Sequence, residues 1–310
     1  MYNLRNIIFL LVCLQTIKFC YCKETLAKDL KFKLKSGDLM PMVGLGTSRI
    51  KEKENVEDVL DKAFAAGYRL IDTAKLYGNE IYIGEALKIL LPKHNLTRRD
   101  IFITTKLAPE DLGDKAYEAL KDSIQKLNTE YVDLYLIHWP GAADNLNNSI
   151  KRDKTWELLA KGVKDGLARN IGVSNFNIRH LNQLLKNDFG VRPAVNQVEW
   201  HPNYHQDDLK KFLDKEGILL QAYSSLGGSS NDNLRKNEKV KEIGKKLGKS
   251  PVQVLLKWSL QQNNAVIPKA TSQKHLEENI DLNFVIPEKD MIILNTFSQK
   301  KNSWNSEDID

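Results

Sequence analysis

Residues 101–127, IFITTKLAPEDLGDKAYEALKDSIQKL, contain the two kinds of segment from which the rest of the chain is built. Ile101–Lys106 is a short apolar run rich in β-branched residues, which is typical of a buried strand. Tyr117–Leu127 has apolar residues at helical spacing, which predicts an amphipathic helix. A strand followed by such a helix is one βα unit, and repeated βα units form parallel sheets.

Similar units occur on both sides of this stretch. Helices are predicted at Val56–Ala66, Lys154–Asp165 and Pro251–Gln261, and Ser250 is the N-cap of the last. The eight strand candidates are Met42–Gly46, Arg69–Thr73, Ile101–Lys106, Val132–His138, Asn170–Ser174, Ala194–Glu199, Leu219–Tyr223 and Ala265–Pro268. No Gly-x-Gly-x-x-Gly turn follows any of them. Eight units without that turn favour a closed α/β barrel, a (β/α)8 TIM barrel, over an open doubly wound sheet.

The sequence also predicts what precedes the first strand and how far the domain extends. Ahead of the first strand, the alternating segment from Phe32 turns at Ser36-Gly37 and predicts a β-hairpin. We expect residues 23–310 to form one domain, because no long linker or low-complexity tract divides them.

Residues 1–22 have the pattern of a signal peptide. Arg5 supplies a basic start, Ile7–Val12 begins an apolar run too short to span a membrane, and cleavage is expected near Cys22. The mature chain would then be secreted or resident in the ER lumen. The alternative, a buried N-terminal helix, accounts less well for the basic start and the small residues that follow the run.

Cysteines and sequons bear on the same question. The three cysteines, Cys13, Cys20 and Cys22, all lie in the predicted signal, so the mature chain would contain no disulfide. Asn95-Leu96-Thr97 and Asn147-Asn148-Ser149 are glycosylation sequons, which are compatible with secretion but common by chance.

The charges and the histidines of the chain indicate which partners it does not bind. The net charge of +6 is spread over interspersed residues with no basic stripe, so nucleic-acid binding is not indicated. His201 and His205 are four residues apart, but Pro202 disfavours a regular helix between them and no third ligand is evident, so we predict no metal site. We expect the processed chain to be a monomer that binds a small molecule and no membrane.

Most predicted strands end on a polar side chain, at the barrel edge where α/β barrels carry their active sites. These residues are Asp72 with Tyr77 just beyond, Lys106, His138, Ser174 with Asn175, Gln197, Tyr223 with Ser224, and Lys269. A single charged residue at a strand end usually belongs to a structural ion pair, and a single tyrosine in a loop or histidine in a core is common. A complete ring of polar strand-end residues indicates a functional site.

Four of these residues form a coherent proton donor. A free tyrosine has a pKa near 10, and a neighbouring ammonium on Lys106 is expected to lower the pKa of Tyr77. Asp72 would hold that ammonium in place, and His138 would orient a carbonyl. A carbonyl polarised in this way accepts hydride, which no protein side chain donates, so a cofactor is required.

Motifs along the chain resemble the aldo-keto reductase family. They are GYRLIDTAKLYGNE (67–80), ITTKL (103–107), DLYLIHWP (133–140), IGVSNF (171–176), NQVEWHP (196–202), AYSSLG (222–227) and IPKATSQKHLEEN (267–279). The resemblance implies a barrel whose bottom is closed by the hairpin, and NADP(H)-dependent reduction of aldehydes and ketones. It also implies that Tyr77 is the acid, tuned by Asp72 and Lys106, and that His138 orients the carbonyl.

The resemblance implies a cofactor site as well. Its residues are Thr47, Asp72, Ser174, Asn175, Gln197, Tyr223, Ser224, Leu226, Lys269, His275, Glu278 and Asn279. Two positions depart from the family pattern, Ala270 for the usual serine and His275 for the usual arginine. In the family both of the usual residues grip the 2′-phosphate, so their absence makes NADH a second possible cofactor. We expect NADPH as the cofactor because Lys269, which would reach the same phosphate, is retained.

The substrate side departs too. Ser48 stands where many members have tryptophan, which predicts a wider pocket with Ser48, His138 and Trp139 as substrate contacts. The tail with Trp304 is expected to close over Trp139. The alternative function is a non-catalytic carrier or sensor barrel, which the loss of a catalytic residue would support. A barrel hydrolase fits poorly, because paired acids at the strand ends are missing.

Overall fold

A two-stranded hairpin precedes the barrel. The computed structural model describes residues 29–228 and 232–309, so the predicted signal peptide lies outside them. Strands β1 (Lys31–Lys33) and β2 (Leu39–Pro41) pair antiparallel. Asp38 in the turn accepts a 2.8 Å hydrogen bond from Asn170 near the start of a barrel strand. The hairpin therefore covers the amino-terminal end of the barrel, as predicted.

The main sheet is parallel and has eight strands. They are β3 (Leu45–Gly46), β4 (Leu70–Asp72), β5 (Phe102–Leu107), β6 (Val132–Ile137), β7 (Ala168–Ser174), β8 (Val195–Glu199), β9 (Leu219–Tyr223) and β10 (Ala265–Val266). Each strand pairs with the next in the chain, from β3 to β10. A parallel bridge between Val43 and Val266 joins the two edges, and this closes the barrel. The eight strand predictions and the barrel are confirmed.

Helices surround the sheet. They are α1 (Lys53–Ala66), α2 (Glu80–Lys93), α3 (Ala116–Lys126), α4 (Asn148–Lys164), α5 (Ile178–Lys186), α6 (Asp207–Glu216), α7 (Asp232–Lys236), α8 (Glu238–Leu247), α9 (Pro251–Leu260), α10 (Gln273–Ile280) and α11 (Glu288–Asn295). Ser250 caps α9 as predicted, since its side chain accepts a 3.2 Å hydrogen bond from the Gln253 amide. Within residues 29–228 and 232–309, none of these helices has the length and hydropathy that crossing a bilayer requires.

Strand register brings the polar strand ends to one rim. Asp72 on β4 is paired with Thr104 on β5, so Lys106, two residues after Thr104, lies beyond Asp72 toward the carboxyl end of the strands. Ser174 on β7 is paired with Gln197 on β8. Because all eight strands run in the same direction, the side chains that follow them meet above the barrel core.

Candidate active site

A buried ion pair lies at the centre of this rim. The Lys106 ammonium donates to Asp72 Oδ1 at 2.6 Å and to the Thr73 carbonyl at 2.9 Å. Lys106 has no exposed surface and Asp72 is 1% exposed. A lysine can be buried so completely because all three of its protons have acceptors. The third acceptor is the hydroxyl of Tyr77.

Tyr77 lies at the end of a 3-10 helix, Lys75–Tyr77, directly after β4. Its hydroxyl is 3.3 Å from Lys106 Nζ. Gly78 follows with φ of 70°, a left-handed conformation that ends the turn and sends the chain into α2. The predicted contact between phenol and ammonium is therefore present.

The pKa of Tyr77 differs from the sequence-based expectation. Burial raises the pKa of the phenol, and the charge of Lys106 opposes this without overcoming it, so the net shift is upward. Burial also acts against the charge of Lys106, but Asp72 and Tyr77 outweigh it and raise the pKa of the ammonium. The prediction of a lowered phenol pKa is wrong, because the sequence does not show how strongly the folded protein desolvates the phenol. The phenol is protonated at neutral pH, as a proton donor must be.

His138 follows β6 and faces the tyrosine. The two rings meet edge to face with centroids 5.8 Å apart. Burial and the charge of Lys106 lower the pKa of His138 to about 3, so the imidazole is neutral at physiological pH. Its Nδ1 is buried and has no hydrogen-bond partner within the described ranges. A neutral ring beside the phenol can hydrogen-bond a carbonyl oxygen there.

Asn79 holds the loop that carries Tyr77, and it was not predicted. It is fully buried and accepts a 2.6 Å hydrogen bond from the Thr73 hydroxyl. It also donates to the carbonyls of Thr47 and Ile50 at 3.1 and 2.8 Å. Asn79 thus ties the loop after β3 to both ends of the turn that contains Tyr77. The available signal was the Asn79-Glu80 pair, at which α2 begins.

Replacing Asn79 by leucine is expected to lower the free energy of unfolding by about 3 kcal/mol, because three buried hydrogen bonds would be lost. Urea denaturation would measure this. Asn55→Leu, at an exposed position on α1, is the control and should change the stability by less than about 0.5 kcal/mol. Equal denaturation midpoints for the two variants would contradict the structural role given to Asn79.

A second chain of hydrogen bonds crosses the barrel interior. Gln197 Nε2 donates to Asp72 Oδ2 and to Gln221 Oε1, both at 2.7 Å. Thr47 Oγ1 donates to the Asp72 carbonyl at 2.9 Å. Both oxygens of the Asp72 carboxyl therefore have donors, and we name the linked Lys106, Asp72, Gln197 and Gln221 side chains the crossbar.

The strand ends opposite are also joined. Tyr223 donates through its hydroxyl to Asn175 Oδ1 at 2.7 Å. Asn175 Nδ2 in turn donates to the His138 carbonyl and to Ser174 Oγ, both at 3.0 Å. This orients the Tyr223 ring and the Asn175 amide at the edge of the site. It also couples them to the loop that carries His138.

One cavity of about 490 Å³ joins these groups. The predicted residues along its wall are Ser48, Asp72, Tyr77, His138, Trp139, Ser174, Asn175, Gln197, Tyr223, Ser224, Leu226 and Lys269. Lys106 lies beneath the cavity floor through its bond to Tyr77. The cavity therefore runs from Tyr77 to Lys269, an exposed residue after β10. Gly46 lines it, and a Cβ there would lie 2.7 Å from the Ile267 carbonyl oxygen.

Other predicted cofactor residues do not line the cavity. Thr47 is buried behind it and bonds Asp72 instead. His275, Glu278 and Asn279 lie on α10, where His275 is exposed and Asn279 is 3% exposed. Their predicted contacts with a cofactor stay predictions.

Several wall residues were not predicted from the sequence, among them Arg49, Arg235 and Ser303. Arg49 has a φ of 67° and Arg235 lies on the short helix α7. Basic side chains on loops and short helices carry no signal of their location until the barrel brings them to one rim. Ser303 belongs to the tail, which also places Trp304 against Trp139 with ring centroids 5.2 Å apart. The predicted closure over Trp139 is present.

The two histidines that suggested a metal have structural partners. His201 Nε2 is 2.9 Å from Glu199 Oε1, and its backbone pairs with Tyr204. The His205 ring packs between Trp200 and Trp258. Within residues 29–228 and 232–309, no group of three or more His, Cys, Asp or Glu side chains is arranged to hold a metal ion.

The fold and the site define a class, a parallel barrel oxidoreductase with a lysine-bound tyrosine at its carboxyl rim. The aldo/keto reductase family model matches residues 42–298. A glyoxal reductase of Bacillus subtilis is 39% identical over 261 residues, 84% of this chain and 89% of that protein. A 9,11-endoperoxide prostaglandin H2 reductase of Trypanosoma cruzi is 36% identical over 264 residues, 84% of this chain and 89% of its own. The chain belongs to the aldo/keto reductase family and is an aldo-keto reductase enzyme.

Solved structures of similar proteins have the same fold. The aldo-keto reductase of Bombyx mori in complex with NADP has a TM-score of 0.82 and 32% identity, covering 87% of this chain and 93% of its own. The aldose reductase of Schistosoma japonicum has a TM-score of 0.82 and 33% identity, covering 88% and 94%.

Proposed function

We propose that this enzyme reduces aldehydes and ketones, including lipophilic ones, to alcohols with NADPH. The observation that carries the proposal is the complete constellation of Tyr77, Lys106, Asp72 and His138 on the wall or floor of one cavity. A non-catalytic carrier would have no need of a lysine buried at that energetic cost. The complete constellation therefore supports an enzyme.

The side chains along the cavity suit a dinucleotide phosphate. Arg49, Lys269, Ser224 and Ser225 line it and can bind phosphate oxygens. The oriented Asn175 amide and the Tyr223 ring line the same cavity. When bound, the reduced nicotinamide supplies hydride.

The protein's own groups would handle the proton. Tyr77, protonated because burial raises its pKa, donates a proton to the carbonyl oxygen as the alcohol forms. The Lys106 ammonium, fixed by Asp72, stabilises the phenolate that this transfer leaves. Neutral His138 hydrogen-bonds the same oxygen and fixes its position between the two rings.

Lipophilic substrates fit the outer wall. Trp139 stacks on His138 with centroids 6.4 Å apart, and Trp304 covers Trp139 while remaining 60% exposed. Ser48 lines the same cavity as Trp139 and has a small side chain. Measuring NADPH oxidation by the purified protein with propanal, 2-naphthaldehyde and a ketosteroid tests the proposal. If none of these carbonyls is turned over, the proposal is wrong.

Cofactor preference is expected to be relaxed, since Ala270 and His275 stand where the resemblance implies serine and arginine. His275→Arg should tighten NADPH binding by roughly tenfold or more and leave NADH binding unchanged, because it adds a bidentate donor for the 2′-phosphate. Titration by nicotinamide fluorescence measures both dissociation constants. Gln273→Arg, which adds the same charge on α10, is the control. Equal tightening of NADH would show that only general attraction had changed.

We also propose that the protein enters the secretory pathway. Support comes from Arg5, the apolar run and the absence of cysteine after Cys22. Amino-terminal sequencing of the protein made in eukaryotic cells should begin near Lys23. An intact Met1 would refute this.

A further inference from the structure

The chain after α11 crosses the carboxyl rim of the barrel, and we call residues 299–309 the tail. Its first part lies on the loop 200–205: Gln299 donates to the Pro202 carbonyl at 3.1 Å and accepts from the His205 amide at 2.7 Å. Its last part lies on α5, where His180 Nε2 is 2.7 Å from the Ile309 carbonyl and Arg179 bonds the same oxygen. The tail is therefore fixed at both ends, with the active site between them.

Glu199 makes the bonds nearest to the site. At the end of β8, it accepts from the Asn302 amide at 2.9 Å and from the Ser303 amide at 2.7 Å, one on each carboxylate oxygen. His201 Nε2 lies 2.9 Å from the same carboxylate. Asn302 also donates to the Gly227 carbonyl at 3.1 Å. A carboxylate that grips two successive amides fixes the direction of the chain as well as its position.

The carboxylate of Glu199 is ionised despite its burial. Glu199 is 3% exposed, and burial alone would raise its pKa. The hydrogen bonds from His201 and from the tail outweigh burial and lower the pKa of Glu199 to about 2. The carboxylate therefore stays ionised at every pH at which the enzyme would work.

We propose that Glu199 is a positioning residue for substrate selection: by holding Asn302 and Ser303, it sets Trp304 over Trp139 as the outer aromatic wall. Ser303 lines the cavity and Trp304 is the next residue, so a displacement at Glu199 reaches the wall within one peptide unit. Glu199 does not line the cavity that holds Tyr77 and acts through the tail alone. The inference rests on the proposed reductase activity.

The expected effect is selective. Glu199→Gln replaces one charged acceptor oxygen by an amide donor, so one tail amide loses its acceptor. We expect kcat/KM for 2-naphthaldehyde to fall by about tenfold through KM, while kcat/KM for propanal, too small to need the wall, stays within about twofold. Trp304→Ala should have the same effect. In the Trp304→Ala background, Glu199→Gln should change neither aldehyde further.

A second measurement needs no turnover. Hydrogen–deuterium exchange of the purified protein should show faster exchange across residues 299–309 in Glu199→Gln, by about tenfold, and unchanged exchange in the barrel strands. If Glu199→Gln does not fold, Asn302→Pro removes one of the same bonds from the tail side.

Three results would overturn the inference. They are unchanged exchange in the tail, equal loss of activity toward both aldehydes, and a further loss in the Trp304→Ala background. If the wild-type protein reduces no carbonyl, the proposed function fails, and the exchange experiment still decides whether Glu199 holds the tail.

Discussion

Replacing Tyr77 by phenylalanine should lower kcat for carbonyl reduction by about a thousandfold, because it removes the proposed proton donor. The Lys106 ammonium would lose its 3.3 Å bond to Tyr77 but keep its shorter bonds to Asp72 and to the Thr73 carbonyl, so the chain should still fold. The dissociation constant for NADPH should stay within about twofold, since the ring remains. Steady-state kinetics and a fluorescence titration measure the two quantities separately.

The matched control is Tyr117→Phe. That tyrosine lies on α3 and also donates a hydrogen bond through its hydroxyl, to Asp165, but it does not line the cavity. It should retain full activity. If Tyr77→Phe retained more than about a tenth of the wild-type kcat, the proton would have to come from another group, and the role given to Tyr77 would be wrong.

Lys106→Met is expected to have the largest effect on stability. It would leave the buried Asp72 carboxylate without its cation and the Thr73 carbonyl without a donor. Breaking one side of a buried pair typically costs about 3–5 kcal/mol, so the urea midpoint should fall sharply. Turnover should be lost as well, because no charge would then stabilise the phenolate of Tyr77.

Removing both charges separates these effects. In the double variant with Asp72→Asn and Lys106→Met, much of the lost stability should return, since no unpaired charge is left in the core. Turnover should stay absent. A double variant no more stable than Lys106→Met would mean that the single substitution acts through packing instead of charge.

The sequence was sufficient for the barrel and for the centre of the site. Apolar runs alternating with helices located all eight strands, and the polar residue after each run located the rim. Asp72 and Lys106 could be paired in advance because neither can be buried alone. The direction of the net pKa shift of Tyr77 could not, because it depends on how much water the folded loop excludes.

Residues that act through distant contacts were not found. Glu199 and Asn302 are 103 positions apart, and Asn79 and Thr47 are 32 apart, so neither contact has a local pattern. WHPNYH, considered as a possible metal motif, instead supports the tail through Pro202 and His205. The signal peptide, the glycosylation of the sequons and the monomeric state stay predictions.

The crossbar has a consequence for how such an enzyme can diversify. Lys106, Asp72, Gln197 and Gln221 all belong to strands, whereas the Ser48 and Trp139 walls belong to loops and Trp304 to the tail. Mutation can therefore reshape the mouth of the barrel while the crossbar, which supports Tyr77 through Lys106, keeps its geometry. New substrates become accessible to descendants of this gene without reinvention of the chemical step.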